Sequence, residues 1–185
     1  MRIAVSDYDG TLRRNRRVSD DDLAAIADWR RAGHQFGLAT GRDPGMTIHE
    51  LDLWNIEVDF LGCFNGAGLY DGKRPLLRGS QLDSDLVAAL LAHPAAAASM
   101  HCQLSGDGVM LLYMRDNKSW LPGTGLPYTE VTFEEALAAR DLRQISFAYD
   151  TAAESADWTA RLQGDLGHRV NPHQNTVCID VTPAG

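Results

Sequence analysis

Two carboxylates stand directly after a short apolar run near the N-terminus, and this limits the folds open to the chain. Ile3-Ala4-Val5 is apolar on successive residues, which is typical of a strand buried on both faces of a parallel sheet. Asp7 and Asp9 follow, and Gly10 and Thr11 then turn the chain away. Because ligands bind at the carboxyl ends of strands in open α/β sheets, we expect these acids to lie at such a site.

The spacing of Asp7 and Asp9 also indicates a metal. Side chains alternate along a strand, so residues two apart share a face. Two like charges at this distance repel each other unless a cation lies between them or one carboxylate takes a proton. Mg²⁺ suits the pair because it binds one or two carboxylates together with a substrate phosphate. Many such pairs lie on solvated loops, so the pair alone is a weak signal.

A second strand is predicted over residues 35–39, after a helix, and Thr40, Gly41 and Arg42 come directly after it. A strand–helix–strand unit makes a right-handed crossover, which brings Thr40 to the same sheet edge as Asp7. A hydroxyl and exposed backbone N–H groups suit phosphate oxygens. Two roles are open for Arg42, which either contacts a substrate or pairs with an acid of the core.

Residues 60–64 are the third predicted strand, and Asn65 follows it within an Asn-Gly-Ala turn. Asn-Gly is an ordinary hairpin turn, but Asn65 is also a candidate for the rim of the site. The arginine-rich run 13–17 has two interpretations as well. It is either a flap that attracts a phosphate ester or a solvated turn, and charge runs usually face water.

From about Gly72 the chain alternates short strands and helices, which predicts an inserted α+β module. A few polar residues of this module could recognise a substrate, although each is more often an ordinary surface or turn residue. These residues are His101, Asp107, His173, Gln174 and Asn175.

Composition excludes several classes of function. The 185 residues carry 17 basic and 25 acidic side chains, a net charge of −8, which argues against nucleic-acid and anionic-membrane surfaces. Cys63, Cys102 and Cys178 are far apart and odd in number, as in reduced cytosolic proteins. No signal peptide or membrane-spanning run is recognisable, so we expect a cytoplasmic protein.

Together these motifs resemble a known family. Asp7-Tyr8-Asp9-Gly10-Thr11-Leu12 at a strand end resembles the first motif of the haloacid dehalogenase-like (HAD) phosphatases. Thr40-Gly41-Arg42 and the Asn65 turn resemble the Cof-type, sugar-phosphatase-like branch of that family. The resemblance implies a Rossmann-like parallel-sheet core of residues 1–71 plus 177–185, incomplete at its C-terminus. It also implies an inserted type 2 cap domain of residues 72–176.

The resemblance further implies a mechanism. Asp7 would be the nucleophile that forms an aspartyl-phosphate, and Asp9 the general acid/base. Both would bind Mg²⁺, Asp9 also through its main-chain carbonyl. Thr40, Gly41 and Arg42 would bind the phosphate. The implied activity is Mg²⁺-dependent hydrolysis of a phosphate monoester, with a small phosphorylated metabolite, a sugar phosphate, as substrate.

Two parts of the family pattern are missing. No Lys follows the predicted cap, and no acidic pair follows a strand after Asp180. The alternative is therefore a catalytically inactive or truncated relative that binds phosphorylated ligands or a protein partner. Without further strands, the first strand would be an exposed apolar edge. We expect the natural chain to continue beyond Gly185, or, if it ends there, a homodimer or a swapped segment to cover this edge.

Overall fold

The computed structural model describes residues 1–73, 76–116, 118–124 and 127–184. The remaining positions of the predicted cap and core lie outside the described residues: 74, 75, 117, 125, 126 and 185. The chain divides into two compact units, Met1–Gly79 and Ser80–Gly185. Both combine helices with a β-sheet, which confirms the predicted α/β class. Within the described ranges, no helix has the length and apolar character needed to cross a membrane.

The first unit is a five-stranded sheet with two helices. Its elements are β1 (Ile3–Asp7), α1 (Asp20–Arg31), β2 (Gln35–Ala39), α2 (Pro44–Leu53), β3 (Phe60–Cys63), β4 (Gly68–Tyr70) and β5 (Leu76–Gly79). The strand order is β1-β2-β3-β4-β5, and β1, β2 and β3 are parallel. Strands β4 and β5 are antiparallel to their neighbours. The carboxyl ends of the three parallel strands therefore meet at one edge, as predicted.

Helix α1 is specified by its ends. The Ser19 side chain accepts a hydrogen bond from the Asp22 backbone N–H at 3.1 Å, which caps the helix. Acidic residues fill its first turn and basic residues its last, the order that the helix dipole favours. Leu23, Ile26 and Trp29 pack against the core of the first unit. These features position the crossover that brings β2 beside β1.

The arginine run after β1 is largely paired with acids. Arg14 contacts Asp22 at 2.6 Å, and Arg17 contacts Asp20 at 3.1 Å. Acids of the first turn of α1 therefore pair with two of the four arginines in the run. Arg13 instead contacts acids next to the predicted site. This pairing favours the interpretation of residues 14–17 as a solvated turn.

Strand β1 lies at the edge of its sheet. It pairs only with β2 among the described strands, and its burial alternates along the strand. The side chains of Ile3 and Val5 are 59% and 56% exposed. The predicted exposed apolar edge is therefore present. Such edges promote strand pairing between molecules, and self-association through β1 remains a prediction.

The second unit is a six-stranded sheet with four helices. Its elements are α3 (Ser84–Ala92), α4 (Pro94–Ala98), β6 (His101–Gly106), β7 (Val109–Tyr113), β8 (Thr129–Glu130), α5 (Phe133–Ala138), β9 (Leu142–Ala148), α6 (Ala152–Leu166), β10 (Val170–Asn175) and β11 (Cys178–Pro183). The strand order is β10-β11-β9-β6-β7-β8. All pairs are antiparallel except β7 with β8.

The boundaries of the units differ from the predicted ones. Residues 177–185 were expected in the core, but β11 is hydrogen-bonded between β9 and β10 in the second unit. β11 belongs to the second unit because Cys178–Val181 pairs with β9 on one side, and β10 pairs with the other side of β11. The first unit also extends past residue 71, since β5 pairs with β4. Whether the second unit is an inserted cap remains a proposal.

The sheet of the second unit has two different faces. The apolar face packs with α3 and α6 in one buried core, to which the strands contribute Cys102, Leu104, Ile145, Phe147, Val170, Ile179 and Val181. The opposite face carries polar side chains at paired positions: Gln103, Ser105, Gln144, Ser146 and Asp180. Ser146 donates to Asp180 at 2.7 Å, and Gln144 donates to Ser146 at 3.2 Å. This arrangement satisfies buried polar groups within the sheet.

The polar candidates of this unit lie in ordinary structural settings. His101 is buried on β6, and Asp107 forms an ion pair with Arg143 at 2.7 Å. His173, Gln174 and Asn175 belong to β10 rather than to a turn. These three residues were not predicted on a strand, because the Asn and Pro residues of this segment are depleted in strands.

Gly106 provides a prediction about packing in the second unit. An added Cβ at this position would clash with the backbone carbonyl oxygen of Asp141, where β6 and β9 change register. Since backbone cannot move away cheaply, Gly106→Ala should lower the free energy of unfolding by about 1–3 kcal/mol. Gly164, in α6, has no atom within 4 Å of an added Cβ. Gly164→Ala should therefore raise stability by about 0.5–1 kcal/mol.

Chemical denaturation followed by circular dichroism would compare these two glycine variants with the parent chain. Equal and small effects for the two variants would contradict the close approach of Gly106 to Asp141.

Candidate active site

The predicted site residues lie at the ends of adjacent parallel strands. Asp7 is the last residue of β1, and Thr40 and Phe64 follow β2 and β3 directly. The register pairs Asp7 with Ala39, and Ala39 with Gly62. The three strands therefore end level with each other. This geometry brings Asp7 and Thr40 to one edge, as the crossover rule predicted, and the Asn65 turn lies at the same edge.

Asp7 presents its carboxylate at the surface. Its Oδ2 atom accepts a hydrogen bond from Thr11 Oγ1 at 3.0 Å, and its backbone oxygen accepts from the Leu12 N–H at 3.3 Å. The chain turns back at Gly10, whose φ of 81° lies in the left-handed region that glycine adopts without strain. The Asp-Gly-Thr turn thus orients Asp7 locally while leaving it exposed.

Asp9 and Tyr8 point into different environments. The Tyr8 ring is fully buried, and its hydroxyl donates to Glu50 Oε2 at 2.9 Å. Burial, followed by this hydrogen bond, raises the pKa of Tyr8. The Asp9 side chain is 47% exposed and lies on the Arg42 guanidinium. The buried tyrosine therefore anchors the segment between the two acids.

Thr40, Gly41 and Asn65 are packed closely together. The Thr40 backbone N–H donates to the Gly62 carbonyl at 2.9 Å, and the Asn65 N–H donates to the Thr40 carbonyl at 3.2 Å. Thr40 Oγ1 accepts from the Arg42 N–H at 3.2 Å. A Cβ on Gly41 would lie 2.9 Å from Asn65 Oδ1, so a larger residue there would displace the Asn65 side chain. The predicted rim residue Asn65 thus contacts the predicted phosphate loop.

Arg42 adopts the second of its two predicted arrangements and pairs with an acid of the core. Its Nε donates to Asp9 Oδ2 at 2.6 Å, and its Nη2 donates to Asp9 Oδ1 at 2.9 Å. The guanidinium also lies 5.3 Å from the centre of the Tyr8 ring and 3.5 Å from Glu50 Oε1. The phosphate-binding role predicted for Arg42 is not tested by this arrangement, in which Nε and Nη2 are engaged by Asp9 and would reach a phosphate only after leaving it.

Glu50 and Arg13 were not predicted as site residues. Glu50 lies on α2, and Arg13 was grouped with the rest of its arginine run. Arg13 Nη1 donates to Asp9 Oδ1 at 3.4 Å, and Arg13 Nε lies 3.3 Å from Glu50 Oε2 without alignment for a hydrogen bond. The sequence offered one indication for Glu50, which is a charged residue directly before the buried, apolar Leu51 of α2.

Asp43 follows Arg42 and caps α2. Its Oδ1 atom accepts from the Met46 N–H at 2.9 Å. Burial raises the pKa of this carboxyl, although the backbone hydrogen bonds oppose the effect. The cap fixes the start of α2 and, through it, the position of Glu50 one to two turns further along.

The donor set next to Asp7 fits an open Mg²⁺ site. Asp7 has an exposed carboxylate, whereas both oxygens of the Asp9 side chain accept hydrogen bonds from Arg42. In the part of the chain that the structure describes, no three His, Cys, Asp or Glu side chains are grouped for a metal. Mg²⁺ commonly keeps several waters and takes only one or two carboxylates. The residues therefore suit a water-rich site completed by substrate rather than a closed one.

Parallel strands with acids, a hydroxyl and a glycine loop at their carboxyl ends define the ligand site of a Rossmann-like α/β protein. Comparison with protein families matches residues 4–185 to the haloacid dehalogenase-like hydrolases. The chain belongs to the haloacid dehalogenase-like hydrolase family, which confirms the resemblance read from its motifs. A search of curated proteins found no match.

Solved structures with the same fold are similar over the whole chain. A HAD subclass IIB sugar phosphatase superimposes with a TM-score of 0.77 at 19% identity, over 100% of this chain and 70% of its own. A haloacid dehalogenase-like hydrolase from B. subtilis has a TM-score of 0.79 at 14% identity, covering 98% and 73%. A HAD/COF-like hydrolase from Plasmodium vivax has a TM-score of 0.80 at 18% identity, covering 100% and 68%. These similarities show the shared fold.

Proposed function

We propose that this protein is a Mg²⁺-dependent phosphate monoester hydrolase that works through an aspartyl-phosphate on Asp7. The observation that carries the proposal is the exposed Asp7 carboxylate at the end of β1, two residues before an acid held by Arg42. The family supports hydrolase chemistry. The similarity to a sugar phosphatase supports a small sugar phosphate as the substrate.

The first step transfers the phosphoryl group to the protein. An Asp7 oxygen attacks phosphorus and forms the aspartyl-phosphate, while the bond from phosphorus to the leaving oxygen breaks. Asp9 gives its proton to that oxygen, so the alcohol leaves neutral. Thr40 and the backbone N–H groups near Gly41 are the proposed contacts for the phosphate oxygens.

The second step returns the protein to its starting state. Asp9, now ionised, takes a proton from a water molecule that attacks the phosphorus, and the Asp7–phosphate bond breaks. Both Asp9 oxygens accept hydrogen bonds from Arg42, at 2.6 and 2.9 Å, and these contacts support a fixed orientation of the carboxylate for this step. When Asp9 carries the proton, one of its oxygens keeps the contact with Arg42, and the other oxygen donates to the leaving oxygen.

Mg²⁺ would be held by Asp7 and by the main-chain carbonyl of Asp9. When bound, it would neutralise charge on the phosphate and so favour attack by a carboxylate. The Thr11 hydroxyl, 3.0 Å from Asp7 Oδ2, keeps the second Asp7 oxygen oriented. These roles leave the Asp9 side chain to the proton transfers.

Weak Mg²⁺ binding is the expected result for the isolated chain. Few protein oxygens converge near Asp7, and Mg²⁺ loses its waters reluctantly, so calorimetric titration should give a dissociation constant in roughly the millimolar range. Asp7→Asn should abolish the heat signal, and Asp20→Asn on α1 should keep it. Micromolar affinity would mean that further ligands contribute.

The direct test is hydrolysis of a panel of phosphate esters by the 185-residue chain with and without Mg²⁺. Phosphate release that depends on Mg²⁺, and is greatest for sugar phosphates, supports the proposal. The alternative is a binding module that holds phosphorylated ligands or a protein partner. Saturable binding of phosphate esters without release of phosphate, by this chain and by a longer natural one, would favour that alternative. Release by the longer chain alone would favour the enzyme.

A further inference from the structure

Four charged side chains around Tyr8 form one connected group, here called the Asp9 cluster: Asp9, Arg13, Arg42 and Glu50. Two are negative and two are positive, so their formal charges cancel. Asp9 is 47% exposed, while the other three side chains are between 18% and 21% exposed. The cluster therefore presents one acid outward and keeps its counter-charges partly buried.

The ion pair with Asp9 by itself would leave the Arg42 side chain with much of its rotamer freedom. A free arginine side chain has many rotamers, and fixing it on a half-exposed carboxylate costs conformational entropy. Three contacts restrict it here. Its two donors span both Asp9 oxygens, its guanidinium stacks over the Tyr8 ring, and Glu50 lies 3.5 Å from its remaining nitrogen.

Glu50 is itself held in place by Tyr8 and by its helix. The buried Tyr8 hydroxyl donates to its Oε2 atom at 2.9 Å, and α2 fixes its backbone. Its carboxylate lies between the two guanidiniums, 3.3 Å from Arg13 and 3.5 Å from Arg42. Contacts therefore run without interruption from Tyr8 through Glu50 and Arg42 to Asp9.

We infer that Glu50 is a positioning residue that keeps Arg42 on the Asp9 carboxylate and away from the substrate phosphate. The inference rests on the proposed function, in which Asp9 moves the protons. Without the Glu50 charge, two guanidiniums would face one carboxylate. The surplus positive charge would then be free to pair with an incoming phosphate dianion.

Loss of the Glu50 charge should have opposite effects on substrate binding and on turnover. In Glu50→Gln, a released Arg42 gains contact with the phosphate, so KM should stay equal or fall. Asp9 loses its fixed orientation, so kcat should fall about tenfold, since small displacements of reacting groups slow the chemistry. A side chain that only supported the fold would instead raise KM or lower stability.

The matched control is Asp59→Asn. Asp59 is another partly buried acid of the first unit, and it holds Arg30 through two contacts at 3.1 and 3.2 Å, away from the Asp9 cluster. Glu50→Asp keeps the negative charge with a shorter side chain and should restore part of the lost turnover. All variants would be made in the full 185-residue chain.

The deciding measurement needs no turnover. Hydrogen exchange of the Arg42 Nε–H, identified in ¹⁵N spectra by its loss in Arg42→Lys, should be about tenfold faster in Glu50→Gln and unchanged in Asp59→Asn. Unchanged exchange in Glu50→Gln, or equal acceleration in Asp59→Asn, would overturn the inference. Faster exchange with undiminished kcat would also overturn it. If the 185-residue chain shows no turnover, the proposed function is decided by assaying a longer natural chain, and the exchange measurement still decides whether Glu50 holds Arg42.

Discussion

Asp7→Asn is expected to lower kcat by roughly 10³-fold or more, because removing a nucleophile removes the covalent route of the reaction. The amide retains an oxygen that can accept the Thr11 hydrogen bond, 3.0 Å long in the parent chain. Asp7 is also exposed, so its replacement leaves no buried cavity. The free energy of unfolding should therefore change by less than about 1 kcal/mol.

Intact-mass spectrometry would provide a second readout for Asp7. After rapid quenching during turnover, the parent chain should carry one additional phosphoryl group, and Asp7→Asn should carry none. Asp20→Asn is the matched control, because Asp20 is an exposed acid of the same unit that, among the residues the structure describes, pairs with Arg17. Near-normal phosphate release by Asp7→Asn would show that another group is the nucleophile.

Acid should destabilise the second unit through His101. This side chain is 3% exposed, its Nδ1 lies 2.9 Å from Ser119 Oγ, and its ring stacks edge-on with Trp120. Burial lowers the pKa of His101 from 6.5 to about 4. The neutral form is thus favoured in the folded state. Stability from this group is complete above pH 6.5, falls between pH 6.5 and 4, and changes no further below that range.

The expected loss is about 3 kcal/mol over that pH window. Denaturant unfolding of the parent chain and of His101→Phe, measured from pH 7.5 to 4, would separate this effect from the carboxylates that also titrate in acid. The difference in unfolding free energy between the two proteins should shift by that amount. His173→Phe, at an exposed position of β10, should run parallel to the parent. A difference that does not vary with pH would show that His101 is not held neutral by burial.

Several site features followed from local sequence. The apolar run before Asp7 predicted β1, and the helix between β1 and β2 predicted a parallel pair. From these two inferences alone, Thr40 was expected at the same edge as Asp7. Asn65 was a rim candidate because its Asn-Gly-Ala turn follows the third predicted strand and resembles the family branch. Such features depend on periodicity, capping and handedness, which act over a few residues at a time.

Other features depended on contacts between distant segments. Tyr8 and Glu50 are 42 residues apart, and their hydrogen bond exists because α2 packs beside the end of β1. The choice of Arg42 between a substrate and a core acid was open until Asp9 and Glu50 were both in place around it. Sequence patterns do not predict which side chains of distant segments lie next to each other.

The sequence by itself determined the strand-end acids, the Thr-Gly-Arg loop after β2 and the family of this protein, since each is encoded by a short motif. The tertiary structure alone decided the Asp9 cluster and the partner of β11. Residues 178–183 read as a strand in either unit, and only the backbone hydrogen bonds to β9 and β10 assign it to the second. Strand propensity depends on the side chains of a segment, whereas the choice of partner depends on which neighbouring edge offers unpaired N–H and C=O groups.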